Sequence, residues 1–425
     1  MNIPQLHELF LKSSGISTDT RKIKDDSIFF ALKGENFNAN EFAAEALQKG
    51  AAYAVIDEHL EENNRFIKVE DSLKALQELA AFHRKYLKVP VLALTGSNGK
   101  TTTKELFNAV LSKKYRTVAT PGNLNNHIGV PLTLLSMNRE TELGIVEMGA
   151  NHQKEISFLC NIALPDFGYI TNFGKAHLEG FGGVEGVIKG KKELYQHLKS
   201  SDKMLFLNLD DPLQKEEQNY KKTFTFGNTT EADLKIELTS RDSFAGIKAE
   251  NQEITGNLTG AYNSTNMAAA YAVGTYFKVP TEEIKKALED YLPQNNRSQI
   301  ILKDNRKIIM DAYNANPSSM AAALDNLSRM DMSPKIAILG DMFELGAMAA
   351  AEHEELTENY QKSHVDKVFL IGSNFAATSV KSKKVRKFAT FEEFRAWYQP
   401  SEFNRGVILI KGSRGMALER VLELL

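Results

Sequence analysis

Thr95-Gly96-Ser97-Asn98-Gly99-Lys100-Thr101-Thr102-Thr103 stands between the apolar run Val91-Leu92-Ala93-Leu94 and a stretch with helical periodicity. Polyphosphate oxygens need several donors at close range, and backbone N–H groups crowd in only where glycine removes the Cβ. A helix starting near Lys100 aims its free N–H groups and the positive end of its dipole at the same point. Lys100 supplies a cation for the β- and γ-phosphates, and the Thr101 hydroxyl suits Mg²⁺. Leu94 replaces the first glycine of the longer G-x-x-x-x-G-K-[ST] pattern, so the loop is a shorter G-x-x-G-K-T form. Gly96, Ser97, Asn98, Gly99, Lys100, Thr101 and Thr102 are thus the expected contacts of ATP or GTP. The competing reading is an ordinary strand-to-helix turn with a chance lysine. Two glycines in this strand–loop–helix setting argue against it.

Outward from this loop, apolar runs alternate with helical patterns, which implies α/β architecture with mainly parallel sheets. Towards the N-terminus, residues 40–49 read as a helix burying Phe42, Ala43, Ala46 and Leu47, stopped at Gly50 and followed by a strand over 52–56. Asp71 caps a further helix that ends near Tyr86. Pro90 disfavours helix in the residue before it, so the first boundary falls there. Beyond the loop, strands are expected over 143–146, 167–171 and 204–209, then a β-rich stretch over 232–258 and a small-residue helix over 264–276. The polar segment 292–296 is the second boundary. A third strand–helix series follows, with strands over 308–310, 336–339, 368–371 and 407–410, and Thr390 with Glu393 in capping-box spacing. Three domains result: 1–88, 89–295 and 296–425.

Bulk composition narrows the function classes. The 425 residues carry 52 Lys plus Arg against 54 Asp plus Glu, a net charge of −2, which predicts no attraction to nucleic acid or anionic lipid. The single cysteine, Cys160, excludes an intrachain disulfide framework and fits a reducing compartment. The N-terminus lacks the pattern of a secretory signal, and no apolar run approaches a membrane span. A cytoplasmic protein without membrane insertion is expected.

Other candidate residues are weaker when taken singly. Glu147 ends the apolar run 143–146, where a P-loop site keeps a carboxylate for its metal; a solvated strand end is the alternative. His177 suits a second ion as neutral imidazole, or is simply packed. Lys189, Lys191 and Lys192 read as one solvated helical face. Lys411-Gly412-Ser413-Arg414-Gly415 is an anion-binding loop at a helix N-terminus or a solvated turn, and the residues alone leave both open. Asn314, Asn316 and Pro317 form a turn suited to capping a helix. Together these residues indicate a nucleotide-using enzyme with Mg²⁺, the acceptor being undetermined.

Taken as a set, the segments resemble the Mur ligase family, ATP-dependent amide-bond-forming enzymes of peptidoglycan assembly. The resemblance spans nearly the whole chain. It rests on the 95–105 loop, on Pro121-Gly122-Asn123-Leu124-Asn125-Asn126-His127-Ile128-Gly129, on Glu147-Met148-Gly149 and on Ala176-His177-Leu178-Glu179-Gly180. Tyr313-Asn314-Ala315-Asn316-Pro317-Ser318, Leu339-Gly340-Asp341-Met342-Phe343-Glu344-Leu345-Gly346 and the 411–415 loop point to a dipeptide-adding member.

The resemblance implies a first domain that holds UDP-N-acetylmuramoyl-tripeptide through Ser17, Thr18, Asp19, Arg21, Lys33 and Asn36. Asn123, Asn125 and Asn126 of the central domain would join it. It implies ATP in the central domain, with Asn263 and Asn266 at the adenine and Arg297 and Asp311 reaching back from a Rossmann-like third domain. D-Alanyl-D-alanine would be met by Asn314, Asn316, Phe343, Lys411, Ser413 and Arg414. Two Mg²⁺ ions would be held by Thr101, Glu147, His177 and Lys191, the last as a carbamate, and Lys100, Glu147, His177 and Lys191 would carry catalysis. Tyr262 stands where the family commonly has His, and Asp311 where it often has two aspartates. A monomer with no nucleic-acid partner is expected, its last domain turning about 293–297. The alternatives are a sister ligase adding a single diaminopimelate or lysine, a folylpolyglutamate synthase, or a nucleotide-gated P-loop regulator.

Overall fold

The computed structural model of the chain describes residues 1–60, 63–241, 243–293, 296–361 and 364–425. Three main sheets follow one another along the chain. In the first, Ile16–Ser17, Ile28–Phe30, Tyr53–Ile56 and Phe66–Lys68 pair in parallel. The helix Ser72–Leu87 closes this unit and starts as expected, with the Asp71 carboxylate accepting the Lys74 N–H at 2.8 Å.

The central sheet has nine strands among the described residues. Val91–Thr95 lies between Leu143–Glu147 and Phe167–Ile170, all three parallel and almost wholly buried. Such continuous burial is what a sheet covered by helices on both faces requires. The register sets Leu94 beside Glu147 and Thr95 beside Ile170, so three strand ends open at one edge. In an α/β sheet that carboxyl edge is where ligands are received. Beyond Met204–Asn208 and Thr223–Gly227, the β-rich stretch forms the meander Leu234–Arg241, Phe244–Ala249 and Gln252–Thr259, whose inner pairings are antiparallel. The third sheet runs from the edge pair Gln299–Lys303 and Arg306–Asp311 through Gly406–Lys411, Lys335–Gly340 and Lys367–Ile371 to Val385–Phe388. Its edge pair is antiparallel and its other described pairings are parallel.

The first and central units are bolted together by buried polar groups. Arg84, 8% exposed, donates to the carbonyls of Ala163 and Leu164 and to the Asp166 carboxylate at 2.6 Å. His7 Nε2 and His83 Nδ1 sit 2.9 Å apart, and His83 Nε2 is 2.9 Å from the Met137 carbonyl.

Several local expectations are corrected. Residues 40–49 form a 3₁₀ turn, Ala39–Phe42, before the short helix Ala43–Gln48. Asn38 accepts the Asn40 N–H, which tightens that first turn, and Phe42 is only half-buried because it stacks on the exposed Phe37. The small-residue helix begins at Ala261, three residues early, since Gly260 with φ +90° makes the turn. Thr390 caps Phe391–Trp397, but Glu393 reaches back to the N–H of Ala389, leaving half a capping box. The 411–415 loop leads into the 3₁₀ turn Arg414–Met416 rather than an α-helix, because Ala417 at φ +47° breaks the chain direction. The boundary expected over 292–296 includes Gln294 and Asn295, which lie outside the described residues. Among the described residues no helix is long and apolar enough to cross a membrane.

Candidate active site

Gly96 and Gly99 shape the loop at the carboxyl edge. Gly96 has φ +145° and packs on Thr171 so closely that a Cβ would overlap its hydroxyl. Gly99, at φ +77°, begins the helix Lys100–Leu111 with Asn266 against its Cα. The first intrahelical bond runs from Thr103 N–H to Gly99 C=O at 2.8 Å. By helix geometry the N–H groups ahead of it are the donors left for an anion. Asn172 fixes the rest: its backbone carbonyl accepts from Ser97 N–H, and its side chain accepts from Asn98 N–H and donates to Asn98 C=O.

Lys100 folds back on this loop, its ammonium donating to the carbonyls of Gly96 at 2.8 Å and Ser97 at 3.2 Å. Burial pushes its pKa below the ordinary lysine value; Glu147 and Glu344 oppose that shift and Arg297 adds to it. An arriving phosphate would meet a cation that water screens little.

Glu147 is 1% exposed. Its Oε1 accepts from the Thr101 hydroxyl at 3.1 Å and from the Asn125 amide at 2.7 Å. Its Oε2 is buried with no hydrogen-bond partner among the described residues. A buried carboxylate oxygen is costly when left unmatched, so this atom fits a cation site beside the Thr101 hydroxyl. Lys191 of the helix Val184–Ser200 is fully buried, against the expectation of a solvated face. That face of the helix packs inward, so its ammonium meets the Ala150 carbonyl at 3.3 Å and the face of Phe181 at 4.8 Å. Desolvation first, then Lys100, lowers its pKa well below the ordinary value. Lys192 stays near the surface, paired with Glu216 and Glu217. His177, at φ +53°, holds its Nδ1 2.6 Å from Glu344 of the third unit. That contact, ahead of an opposing burial effect, keeps the Glu344 carboxyl below the usual range.

These groups open on a cavity of about 990 Å³ at the meeting of the central and third units. From the third unit Asn316 donates its amide to Asn98 Oδ1 at 2.7 Å, Arg297 stacks 3.6 Å from the Tyr313 ring centre, and Phe343 and Arg414 complete the wall. Asn316 also caps Pro317–Arg329 in a capping box with Ser319, as its turn predicts. Asp311 and Lys411 are register partners on adjacent strands, joined at 2.6 Å, and Asp311 further accepts the Ser298 N–H.

Comparison with known proteins gives this arrangement a lineage. Residues 12–84 match the profile described as Mur ligase family, catalytic domain; residues 94–274 match Mur ligase middle domain; residues 296–414 match Mur ligase, glutamate ligase domain. The UDP-N-acetylmuramoyl-tripeptide–D-alanyl-D-alanine ligase of Bacillus subtilis (strain 168) is 35% identical over 423 residues, covering 96% of this chain and 92% of that protein. The chain belongs to the Mur ligase family. The ligase of the same name from Escherichia coli (strain K12) is also 35% identical, over 96% of this Mur ligase and 93% of its own length. Among solved structures, MurF from Acinetobacter baumannii superposes with a TM-score of 0.88 at 31% identity, covering 96% of this chain and 92% of that one. MurF from Thermotoga maritima in complex with ADP gives 0.82 at 29% identity, covering 98% and 97%.

The fold of this Mur ligase brings most of the expected site residues to one cavity. Its wall includes Ser97 to Thr102, Glu147, His177, Arg297 and Asp311. It also includes Asn123, Asn125 and Asn126, and Asn314, Asn316, Phe343, Lys411, Ser413 and Arg414. Gly96 shapes the loop from behind. Asn263 and Asn266 line the cavity too, but their amides are engaged with each other, with Thr103 and with the Thr259 carbonyl, which steadies the helix under Gly99. Asn126 Oδ1 accepts the N–H groups of Ile128 and Gly129 at the start of Gly129–Leu135. Lys191 lies behind the wall, and Ser17, Thr18, Asp19, Arg21, Lys33 and Asn36 sit on the first unit, outside it. There Asp19 is bidentate to Arg21, and Lys33 pairs with Asp57 and Glu58. Tyr262 reaches Ser298 at 3.0 Å on the same wall. Sequence reasoning gave no site role to four residues, Asn172, Tyr313, Glu344 and the buried Lys104, although the last three stand in segments that carry the family resemblance. Each matters through a partner elsewhere in the chain, which the segment around it does not reveal.

Proposed function

We propose that this chain is an ATP-dependent ligase that joins D-alanyl-D-alanine to UDP-N-acetylmuramoyl-tripeptide, giving the pentapeptide, ADP and phosphate. The observation that carries the reading is the shared cavity, in which the phosphate loop and the third unit's Asn314-Ala315-Asn316 turn face one another and touch through Asn98 and Asn316. An activated donor and its acceptor must meet in such a place. The named relatives above are ligases for these two substrates, which supports the assignment.

In this reading, residues 1–88 hold the UDP-sugar, 89–295 bind ATP and 296–425 present the dipeptide. The protein acts as a cytoplasmic monomer. A carboxylate is a poor acyl donor, so the tripeptide carboxylate first attacks the γ-phosphorus, forming an acyl-phosphate and releasing ADP. The dipeptide amine then attacks the acyl carbon, and phosphate leaves with the C–O bonding pair while the amine loses a proton. Negative charge gathers at the γ-phosphoryl oxygens in the first step, where Lys100 and the free N–H groups of the loop oppose it. Docking of the third unit over the loop keeps water from the acyl-phosphate.

Mg²⁺ would rest on Thr101 and the unmatched Oε2 of Glu147, and when bound it would offset phosphoryl charge. Among the described residues no three His, Cys, Asp or Glu side chains converge as a metal cluster. Phosphate oxygens would therefore complete the sphere, with His177 and Lys191 as further ligands of a second ion. Lys191 fits a carbamate because burial favours its neutral amine, the form that adds carbon dioxide. Isotopically labelled bicarbonate should give a carbamate carbon signal that Lys191→Arg abolishes, and a signal unchanged by that substitution would refute the assignment.

The test of the whole reading is the product. Incubation with ATP, Mg²⁺, the sugar-tripeptide and D-alanyl-D-alanine should release phosphate and yield a mass equal to the pentapeptide. Single amino acids should give neither. Turnover with diaminopimelate or lysine alone would replace this reading with that of a sister ligase.

A further inference from the structure

We infer that Lys104 is a positioning residue that ties the phosphate helix to the loop carrying Asn123, Asn125 and Asn126, and through that loop sets Glu147. The inference rests on the nucleotide and sugar-peptide reading of the cavity given above. Lys104 lies one helical turn beyond Lys100 and is 3% exposed. It is not part of the cavity wall, so it acts through other groups rather than on substrate. Its ammonium donates to the carbonyls of Thr120 at 2.8 Å and Gly122 at 3.1 Å, with the Glu105 carboxylate 3.7 Å away.

Those two carbonyls bracket Pro121 where the chain leaves the edge strand Thr117–Ala119. Gly122, at φ +52°, makes the bend that sends Asn123 to Asn126 towards the cavity. The same turn grips Glu147 from two sides. The Thr120 hydroxyl accepts the Glu147 N–H at 3.0 Å, and the Asn125 amide donates to Glu147 Oε1 at 2.7 Å. The Asn125 carbonyl accepts the Gly149 N–H at 2.8 Å, which locks the loop to the chain just after Glu147.

A buried ammonium is unfavourable unless its donors are used. Packing alone does not call for one here, since methionine would fill the same space without the desolvation cost. The cation instead holds together two carbonyls that lie beyond the end of their strand. Helix, turn and carboxylate thus form one rigid unit, so a loop shift on loss of the tether displaces sugar-peptide contacts and Glu147 together. Displacements of about 1 Å at such a point cost on the order of 10²-fold in rate.

The test compares full-length Lys104→Met and Lys104→Gln with the unaltered protein. Four quantities are read: Michaelis constants for each substrate, Mg²⁺-dependent ADP binding by calorimetry, amide exchange over 120–128, and thermal unfolding. The methionine variant should raise KM for the sugar-tripeptide by about tenfold or more, within the cost of such a displacement. It should also weaken Mg²⁺-dependent ADP binding and speed exchange in 120–128, with KM for the dipeptide unchanged. Glutamine keeps an N–H donor and should fall between, which also decides the matter if the methionine variant does not fold. Exchange that rises evenly over the protein, or turnover that falls with every KM unchanged, would overturn the inference. If the unaltered protein takes up no ADP, the reading of the cavity fails instead, while local exchange still decides whether the tether exists.

Discussion

Lys100→Ala is expected to lower kcat by about 10²–10³-fold, the usual consequence of deleting one preorganised donor to a developing oxyanion. The expectation follows from where the ammonium sits. Burial already works against its charge, so the side chain is no support to the empty fold. Its two hydrogen bonds go to carbonyls of its own loop, and those carbonyls keep the same bend through Gly96 and Asn172. Thermal unfolding should therefore stay close to that of the unaltered protein. Steady-state turnover with ATP and both other substrates checks the rate, and calorimetry with ADP checks that the nucleotide still binds. Near-normal turnover with intact binding would remove Lys100 from the chemistry.

Glu147→Gln should cost activity far more than it changes stability. In the folded protein one carboxylate oxygen is buried with nothing to accept among the described residues, a cost of about 1–3 kcal/mol for such a group. The amide introduced by the substitution would keep an acceptor for Thr101 and Asn125, but its NH2 would inherit the unmatched position and the Lys100 and Lys104 ammoniums would lose a nearby countercharge. In the presence of a chelator the variant should melt close to the parent, because the shed buried charge and the lost pairing with Lys100 and Lys104 oppose one another. With Mg²⁺ and substrates its turnover should fall by at least about 10²-fold, as for loss of a main electrostatic contributor, and ADP binding should lose its dependence on Mg²⁺. A variant that melts earlier and retains Mg²⁺-dependent binding would show that Glu147 is structural.

How much of this was legible beforehand depends on the range over which each residue acts. The phosphate loop could be read because its demands are local: positive φ at two glycines, a lysine at the helix start and a preceding buried strand all lie close together in the chain. Glu147 could be placed because a strand end is a local event, and the register then set it beside Leu94. The caps at Asp71 and Asn316 were legible for the same reason. Lys191 shows the limit: spacing put it on a polar helix face, and only the packing of that helix reveals that the face turns inward. The contacts of Lys104, Asn172, Tyr313 and Glu344 could not be read because their partners come from elsewhere in the fold, even where the residue itself stood in a family motif. The Asn98 to Asn316 bond joins residues 218 positions apart, and no periodicity encodes such a pair. The early start of Ala261–Tyr276 and the 3₁₀ ending after Ser413 turned on single backbone angles at Gly260 and Ala417, which composition does not fix.

Asn98 is restrained at three points. Its N–H, its carbonyl and its side-chain oxygen are each held, the first two by Thr171 and Asn172 and the third by Asn316. Withdrawal of the last unit would strip one of these restraints from the bend that, in the proposed reading, surrounds the nucleotide. In that reading, where the last unit presents the acceptor, its withdrawal would slacken the grip needed to start the first reaction, so that fuel is spent only when both reactants are in place.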